Sequence, residues 1–185
     1  MGEIEPREFA SGIPVYCRYD KIVNIKQLTP NPRNPNKHPE EQIKMLAKII
    51  KEVGWRAPIT VSNQSGLIVK GHGRLSAAQL LKVTEVPVEY QDYDSERLEW
   101  QDLMADNRIA ELSTNDRRKL LNLFEEFDTG EVDFDLSGYT DEEYKKLAHS
   151  FDEFEPTTVE EKDEGMKPLK KVICPNCGEE IEVKG

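Results

Sequence analysis

One short segment constrains the fold of this chain more than any other, a glycine-rich turn between a predicted strand and a predicted helix. Residues 67–70 form an apolar, strand-like run, residues 71–73 read Gly-His-Gly, and residues 74–81 have a helical pattern. Such a turn exposes backbone N–H groups at the positive end of a helix dipole, which favours an anion. Arg74 begins the helix, where its guanidinium can hold a phosphate through two hydrogen bonds. The segment therefore predicts a strand–turn–helix unit that cradles phosphate.

The residue types within the turn suit this role. Gly71 and Gly73 permit a positive φ and a close backbone approach to a ligand. His72 is the titratable side chain of the turn, so it is our candidate for a general base or a phosphate ligand. The same residues also suit an ordinary structural turn, because glycine turns are common between elements.

The rest of the chain predicts an α+β (mixed α/β) fold with short strands and helices. The prolines of residues 29–38 require an extended loop. Residues 39–53 carry an amphipathic stripe that predicts a helix. Strands are predicted at residues 59–61 and 86–90, and Pro87 favours an edge position for the second of these.

Composition and pattern divide the chain into five segments. These are an N-terminal arm (1–19), a basic domain that contains the glycine turn (20–93), a helical extension (94–150), an acidic linker (151–170) and a cysteine hairpin (171–185).

Charge is unevenly distributed between these segments. Residues 20–93 hold eleven Lys and Arg against seven Asp and Glu, whereas residues 94–150 hold seven against sixteen. The net charge of −11 disfavours non-specific DNA binding by the whole chain, because an acidic surface repels phosphate. The sequence has no membrane-length apolar run and no signal peptide, so we expect a cytoplasmic protein without a membrane partner.

The three cysteines do not suit a disulfide framework, since their number is odd and only two are close together. Cys174 and Cys177 have the C-x-x-C spacing of half a zinc ribbon, so we expect Zn²⁺ there. Two ligands are then missing, and a second chain, Cys17 or His149 are the candidates. A shared site between two chains would make a homodimer. A degenerate knuckle and a redox pair remain alternatives.

The order of motifs over residues 20–93 is a proline-rich segment, a helix, G-W-x-x-P-I-x-V, a strand, G-H-G-R-L-x-A-A and V-P-V. This order resembles the ParB N-terminal domain family, which includes partition proteins, sulfiredoxins and a free-serine kinase. The resemblance implies a small ParB/sulfiredoxin-like α/β domain that binds nucleotides, with CTP in partition proteins and ATP or ADP in the others. It implies a nucleoside triphosphate with Mg²⁺ as the cofactor.

The resemblance also implies which residues contact the nucleotide. Partition proteins carry G-E-R-R in the loop, so Gly71 and Arg74 match while His72 and Gly73 differ. Sulfiredoxins need a cysteine where His72 stands, so sulfiredoxin chemistry is not expected. The candidate nucleotide-binding residues are Gly71, His72, Gly73, Arg74 and, from the proline-rich segment, Arg33, Asn34 and His38.

A narrower resemblance points to ParB-like domains associated with phage and prophage DNA methyltransferases. It rests on the G-H-G-R loop, on A-D-N-R-I-A-E-L at residues 105–112 and on S-G-Y-T-D-E-E at residues 137–143. It implies a module for DNA modification, partition or regulation in a mobile element, with DNA or a DNA-modifying protein as partner.

Enzymatic activity is left open by the sequence. A nucleotide hydrolase or kinase and a non-enzymatic DNA- or protein-binding adaptor are both compatible with it. A nuclease ranks last, because metal-dependent cleavage needs clustered carboxylates and residues 20–93 show none near the loop.

Overall fold

The computed structural model describes residues 4–127, 134–152, 170–173 and 180–183. The chain divides after Leu147 into two units, and each is described by itself. The first unit contains a mixed α/β fold, as predicted. No helix in the described ranges is both long enough and apolar enough to cross a membrane.

Short strands form two sheets in the first unit. The hairpin consists of β1 (Glu8–Ala10) and β2 (Ile13–Val15), and the central sheet of β3 (Lys21–Asn24), β4 (Ile59–Ser62), β5 (Ile68–Lys70) and β6 (Glu85–Gln91). The central order is β3-β6-β4-β5, in which β6 and β4 run parallel and the other pairs run antiparallel.

The predicted edge position of the strand that contains Pro87 is wrong. This strand, β6, lies between β3 and β4. Its pairing with β4 begins only at Val88, which lies opposite Ile59. Pro87 precedes that pairing and lies opposite Ile22 of β3, so it stands within one ladder and outside the other. An inner strand tolerates the missing N–H because Pro87 opposes no residue of β4.

Five helices complete the described fold: α1 (Glu40–Val53), α2 (His72–Leu80), α3 (Glu96–Leu112), α4 (Arg117–Phe127) and α5 (Asp141–Asp152). The predicted stripe of α1 buries Ala47 and Ile50, and α1 packs against α2. Trp55 and Ile59 are fully buried beneath them. Helix α3 packs against β5, which places it beside the start of α2.

The proline-rich segment is held along β5. The backbone N–H of Ile68 donates to the carbonyl oxygen of Thr29 at 3.0 Å, and Thr29 forms a bridge with Leu67. Prolines cannot continue this ladder, so the chain leaves the sheet after Thr29 and turns toward the start of α2. Asn31 contacts His72 there, which brings two distant sequence motifs together.

The C-terminal residues of the first unit form an aromatic contact between α4 and the start of α5. Phe124 packs edge-on against Tyr139 and Tyr144, with ring centroids 5.1 and 5.7 Å away. In the second unit, β7 (Lys170–Ile173) and β8 (Glu180–Val183) form an antiparallel hairpin.

Candidate functional site

Helix α2 begins in the predicted glycine turn. Gly71 is its N-cap with φ 94° and ψ 26°, and no side chain caps the helix. The first N–H groups of a helix have no partner within the helix. The start of α2 therefore presents backbone donors and the positive end of its dipole to the neighbouring space.

The guanidinium of Arg74 folds back over this turn. A Cβ on Gly71 would lie 3.0 Å from both Nε and Nη2 of Arg74. Any residue other than glycine at position 71 would therefore push the side chain of Arg74 away from the turn. The Nε atom is buried and has no hydrogen-bond partner in the described part of the chain. Burial lowers the pKa of Arg74, and the charge of Asp106 opposes that effect. Because arginine stays charged in proteins, a buried unpaired donor costs about 1–3 kcal/mol, which an anion would offset.

A cavity of ≈ 170 Å³ opens beside this guanidinium. The proline-rich segment, α1, β5, α2 and α3 all contribute to its wall. The lining residues are Asn34, His38, Leu46, Val69, Lys70, Gly71, His72, Gly73, Arg74, Asp106 and Asn107. Six of the seven residues predicted to contact a nucleotide thus lie around one space.

The surroundings of His72 favour its neutral form. Its Nε2 accepts a hydrogen bond from the backbone N–H of Asn31 at 3.2 Å. Burial, assisted by the charge of His38, lowers the pKa of His72. In the neutral ring the proton therefore resides on Nδ1. The unprotonated Nε2 connects α2 to the proline-rich segment through its hydrogen bond with Asn31. A role of His72 as general base stays a prediction. If Nε2 is the atom that accepts the proton, the hydrogen bond from Asn31 to Nε2 must first break.

Gly73 gives His38 its place in the cavity wall. A Cβ on Gly73 would lie 3.2 Å from Cε1 of His38 and 3.1 Å from Cδ1 of Leu46. The Nδ1 of His38 lies 3.0 Å from Oε1 of Gln42, one turn along α1. The second glycine of the loop thus allows α1 and α2 to approach closely at the cavity.

Helix α3 closes the other side with charged groups that the sequence analysis did not assign to the site. The ammonium of Lys70 lies 3.0 Å from Oδ2 of Asp102 and 3.9 Å from Oδ1 of Asp106. The hydroxyl of Tyr93 donates to Asp102 at 2.7 Å. Burial and then this bond to Asp102 raise the pKa of Tyr93. Residues 20–93 contribute no carboxylate to the cavity wall, as predicted, but Asp106 reaches the loop from α3, beyond residue 93.

Asp106 and Asn107 are the oxygen ligands that the cavity offers to a metal ion. The Nδ2 of Asn107 donates to the carbonyl oxygen of Leu103 at 2.9 Å, which leaves its Oδ1 available. Mg²⁺ is commonly held by one or two protein oxygens together with phosphate oxygens and water. The residues fit a cation that arrives with a phosphate. The described ranges contain no group of three or more His, Cys, Asp or Glu side chains that could hold a metal ion by themselves.

Arg33 is the predicted residue that does not line the cavity. Its guanidinium lies over the ring of Trp100, 3.9 Å from the centroid. Its backbone N–H donates to Oδ1 of Asn31 at 2.9 Å. Arg33 thus attaches the proline-rich segment to α3. A direct contact between Arg33 and a nucleotide stays a prediction.

A wider, open groove lies on another part of the surface. It is lined by Arg7, Arg18, Tyr19, Asp20 and Glu89. Asp20 already accepts a hydrogen bond from the backbone N–H of Tyr90 at 2.7 Å. This groove has no counterpart of the buried, unpaired donor of Arg74, so the smaller cavity is the candidate site.

The zinc prediction falls largely outside the described residues, since these include neither Cys174 nor Cys177. Cys17, the third cysteine, lies within the described residues, and burial raises the pKa of its half-buried thiol. A protonated thiol is a poor metal ligand. Zn²⁺ in the tail stays a prediction.

The part of the chain that contains the cavity is similar in sequence to known proteins. The family model described as ParB N-terminal domain matches residues 17–107. The ParB-like nuclease domain-containing protein YnaK of Escherichia coli is 39% identical over 64 residues, which cover 35% of this chain and 72% of that protein. The probable chromosome-partitioning protein ParB of Rickettsia prowazekii is 37% identical over 84 residues. These cover 45% of this chain but only 29% of that protein.

Among solved structures, the C-terminally truncated chromosome-partitioning protein ParB from Caulobacter crescentus, complexed with CTP-γ-S, is similar at a TM-score of 0.47. The identity is 23%, over 57% of this chain and 60% of that chain. The matched residues 17–107 contain the glycine turn and most of α3, so they include the whole wall of the cavity. On the sequence matches, this chain belongs to the ParB N-terminal domain family.

Proposed function

We propose that this chain is a nucleotide-binding module whose cavity holds the phosphate groups of a ribonucleotide. The buried, unpaired Nε of Arg74 at the start of α2 carries the proposal. Lys70 adds a second positive charge to the wall, and the N-terminus of α2 adds backbone donors. An anion with several oxygens suits this combination better than an apolar ligand does.

Mg²⁺ belongs to the proposal as the companion of the phosphates. The carboxylate of Asp106 and Oδ1 of Asn107 would hold it, and it would neutralise phosphate charge. Arg74 and the start of α2 bind and orient the phosphates, while His38 and Leu46 limit the width of the cavity.

The cellular role that we propose is a DNA transaction of a phage or another mobile element, with DNA or a DNA-modifying protein as partner. Residues 105–112 support it, because this segment carries the methyltransferase-associated pattern and also supplies Asp106 and Asn107 to the cavity. The named role of the rickettsial relative is chromosome partitioning. This chain spans 29% of that protein, so the activity of the whole relative is not carried over.

Nucleotide binding is tested by calorimetry with CTP, ATP, GTP and UTP, each with and without Mg²⁺. Arg74→Ala should weaken binding by about 10- to 150-fold, because a charge-assisted hydrogen bond is worth about 1.5–3 kcal/mol. Arg56→Ala is the matched control, since Arg56 stacks on Tyr16 at 4.0 Å and does not line the cavity. Failure of the wild type to bind any of the four nucleotides at millimolar concentration would overturn the proposal.

Turnover is the next question for the same preparation. If the nucleotide is hydrolysed or its phosphate transferred, His72→Ala should lower the rate by roughly 10²- to 10⁴-fold, as for a lost acid–base group. Unchanged turnover would exclude that role. Binding without turnover would leave the adaptor, in which a nucleotide controls contact with DNA or protein.

Nuclease activity is the second candidate, and the position of Asp106 and Asn107 at a cationic cavity favours it. Incubation of plasmid DNA with the wild type and with Asp106→Asn, in Mg²⁺ or Mn²⁺, tests this candidate. Cleavage by the wild type that disappears in the variant would support a nuclease. Equal cleavage by both proteins would exclude Asp106 as the catalytic carboxylate.

The tail proposal is that Cys174 and Cys177 of two chains share one Zn²⁺ and join them as a dimer. Metal analysis combined with light scattering, before and after chelation, tests it. About one zinc per two chains, with dissociation on chelation, is the expected result. A metal-free protein purified under reducing conditions would contradict it.

A further inference from the structure

Lys70 lies where the sheet meets the cavity, directly before Gly71. Its ammonium occupies the space between two carboxylates of α3, at 3.0 Å from Asp102 and 3.9 Å from Asp106. Only 27% of its side chain is exposed. The cavity wall thus contains a resident cation next to the carboxylate that faces the ligand.

The two carboxylates hold this ammonium unequally. Asp102 is fixed by the hydroxyl of Tyr93 and lies within hydrogen-bond distance of Lys70. Asp106 is farther away, and half of its side chain is exposed. An ammonium has three N–H donors and Asp102 uses one of them. Lys70 can therefore stay attached to Asp102 while its other donors change partner.

A divalent cation at Asp106 would have to approach this ammonium. Two positive charges that share one carboxylate repel each other, and the repulsion is strong where water is partly excluded. A phosphate in the cavity supplies a second acceptor for Lys70 and at the same time supplies oxygen ligands to the cation. Both effects favour cation binding only when phosphate is present.

We propose that Lys70 excludes divalent cations from Asp106 while the cavity holds no phosphate, and releases Asp106 when a phosphate binds. The release step rests on the proposed function, whereas the exclusion step concerns the protein alone. Binding linkage is reciprocal, so phosphate and cation should each strengthen the binding of the other. Without Lys70 this coupling should weaken.

The experiment titrates Mn²⁺ alone, and then Mn²⁺ with inorganic pyrophosphate, into the full chain by calorimetry. Lys70→Met should bind Mn²⁺ at least about 10-fold more tightly than the wild type, and its melting temperature should rise with Mn²⁺. Lys70→Met combined with Asp106→Asn should lose this gain. Lys26→Met removes an exposed lysine outside the cavity and should behave as the wild type.

With pyrophosphate present, the affinity of the wild type for Mn²⁺ should rise, and that of Lys70→Met should change less. Equal Mn²⁺ affinity of the wild type and Lys70→Met, with pyrophosphate absent, would overturn the inference. If the methionine variant is misfolded by circular dichroism, Lys70→Gln takes its place under the same criterion. Failure of every protein to bind pyrophosphate or nucleotide would overturn the proposed function, while the titration with Mn²⁺ alone would still decide the exclusion step.

Discussion

Two cations line the same cavity in opposite electrostatic situations. Arg74, on the α2 side, has a buried Nε without a partner, whereas Lys70, on the α3 side, is paired with Asp102 and lies close to Asp106. An unpaired buried donor destabilises a fold, and a paired one costs far less. The ammonium of Lys70 therefore has a counter-charge without a ligand, and the Nε of Arg74 has no hydrogen-bond partner. The anionic part of the proposed ligand is therefore expected beside Arg74.

Substitution of Gly71, on the α2 side of the cavity, should have the largest effect on stability and on nucleotide affinity. Gly71→Ala places a Cβ 3.0 Å from the guanidinium of Arg74, on a backbone with φ 94°. The left-handed backbone alone costs about 1–2 kcal/mol for a non-glycine residue, and displacement of Arg74 should also reduce nucleotide affinity. Urea unfolding and calorimetry measure the two effects.

Gly66→Ala is the control for this experiment. Gly66 has φ 72° and nothing within 4 Å of the added Cβ, so it suffers backbone strain without displacing any side chain. Its stability should fall by the backbone strain alone, about 1–2 kcal/mol, with nucleotide affinity intact. Equal affinity losses in the two variants would show that Arg74 does not depend on the glycine.

Methionine substitutions should separate the two cations by the sign of their effect on stability. Arg74→Met removes an unsatisfied buried donor and should raise the free energy of unfolding by about 1 kcal/mol. Lys70→Met leaves two neighbouring carboxylates without their cation and should lower it by about 1 kcal/mol. Chemical denaturation at pH 7 measures both. Destabilisation by both substitutions would mean that the guanidinium of Arg74 makes a stabilising interaction in the folded protein.

The burial of His72 should make stability depend on pH. Because the pKa of His72 is lowered in the folded protein, the unfolded chain binds its proton first as the pH falls. Stability should therefore decline from about pH 6.5 down to the folded pKa and then level off, by about 1.4 kcal/mol for each unit of pKa difference. Melting temperatures between pH 5 and 8 check this decline, which His72→Gln should remove. His38→Gln should only reduce it, and a decline unchanged in His72→Gln would assign it to other groups.

The smallest effect concerns the contact between Arg33 and Trp100. Arg33→Ala should lower stability by about 0.5–1 kcal/mol, the usual value of an exposed cation–π contact. It should also change the fluorescence of Trp100, which is one of only two tryptophans, and Trp55 is buried. If nucleotide binding changes this fluorescence in the wild type but not in Trp100→Phe, the surroundings of Trp100, which include Arg33, respond to the ligand. A fall in nucleotide affinity as large as that of Arg74→Ala would instead make Arg33 a direct ligand contact.

Local sequence signals predicted the parts of the site that lie within one strand–turn–helix unit. Gly71 and Gly73 indicated a turn, and the helical pattern after them predicted a helix from Arg74. The helix α2 begins two residues earlier, at His72, so that prediction of the helix start is wrong. The partnership of Lys70, Asp102 and Asp106 was missed, because it joins β5 to a helix about thirty residues later. The segment 105–112 carried a signal, since it is one of the motifs of the methyltransferase-associated resemblance, but nothing local placed it at the loop.

The sequence by itself determined the mixed α/β class, the glycine turn and the helix that follows it, because these depend on backbone freedom and on periodicity over a few residues. Only the tertiary structure decided which charges meet. The inner position of Pro87 depended on where β4 begins to pair. The unpaired state of Arg74 and the paired state of Lys70 depended on how α3 packs against β5. Burial and electrostatic partners arise from residues distant in the chain, so no local pattern could determine them.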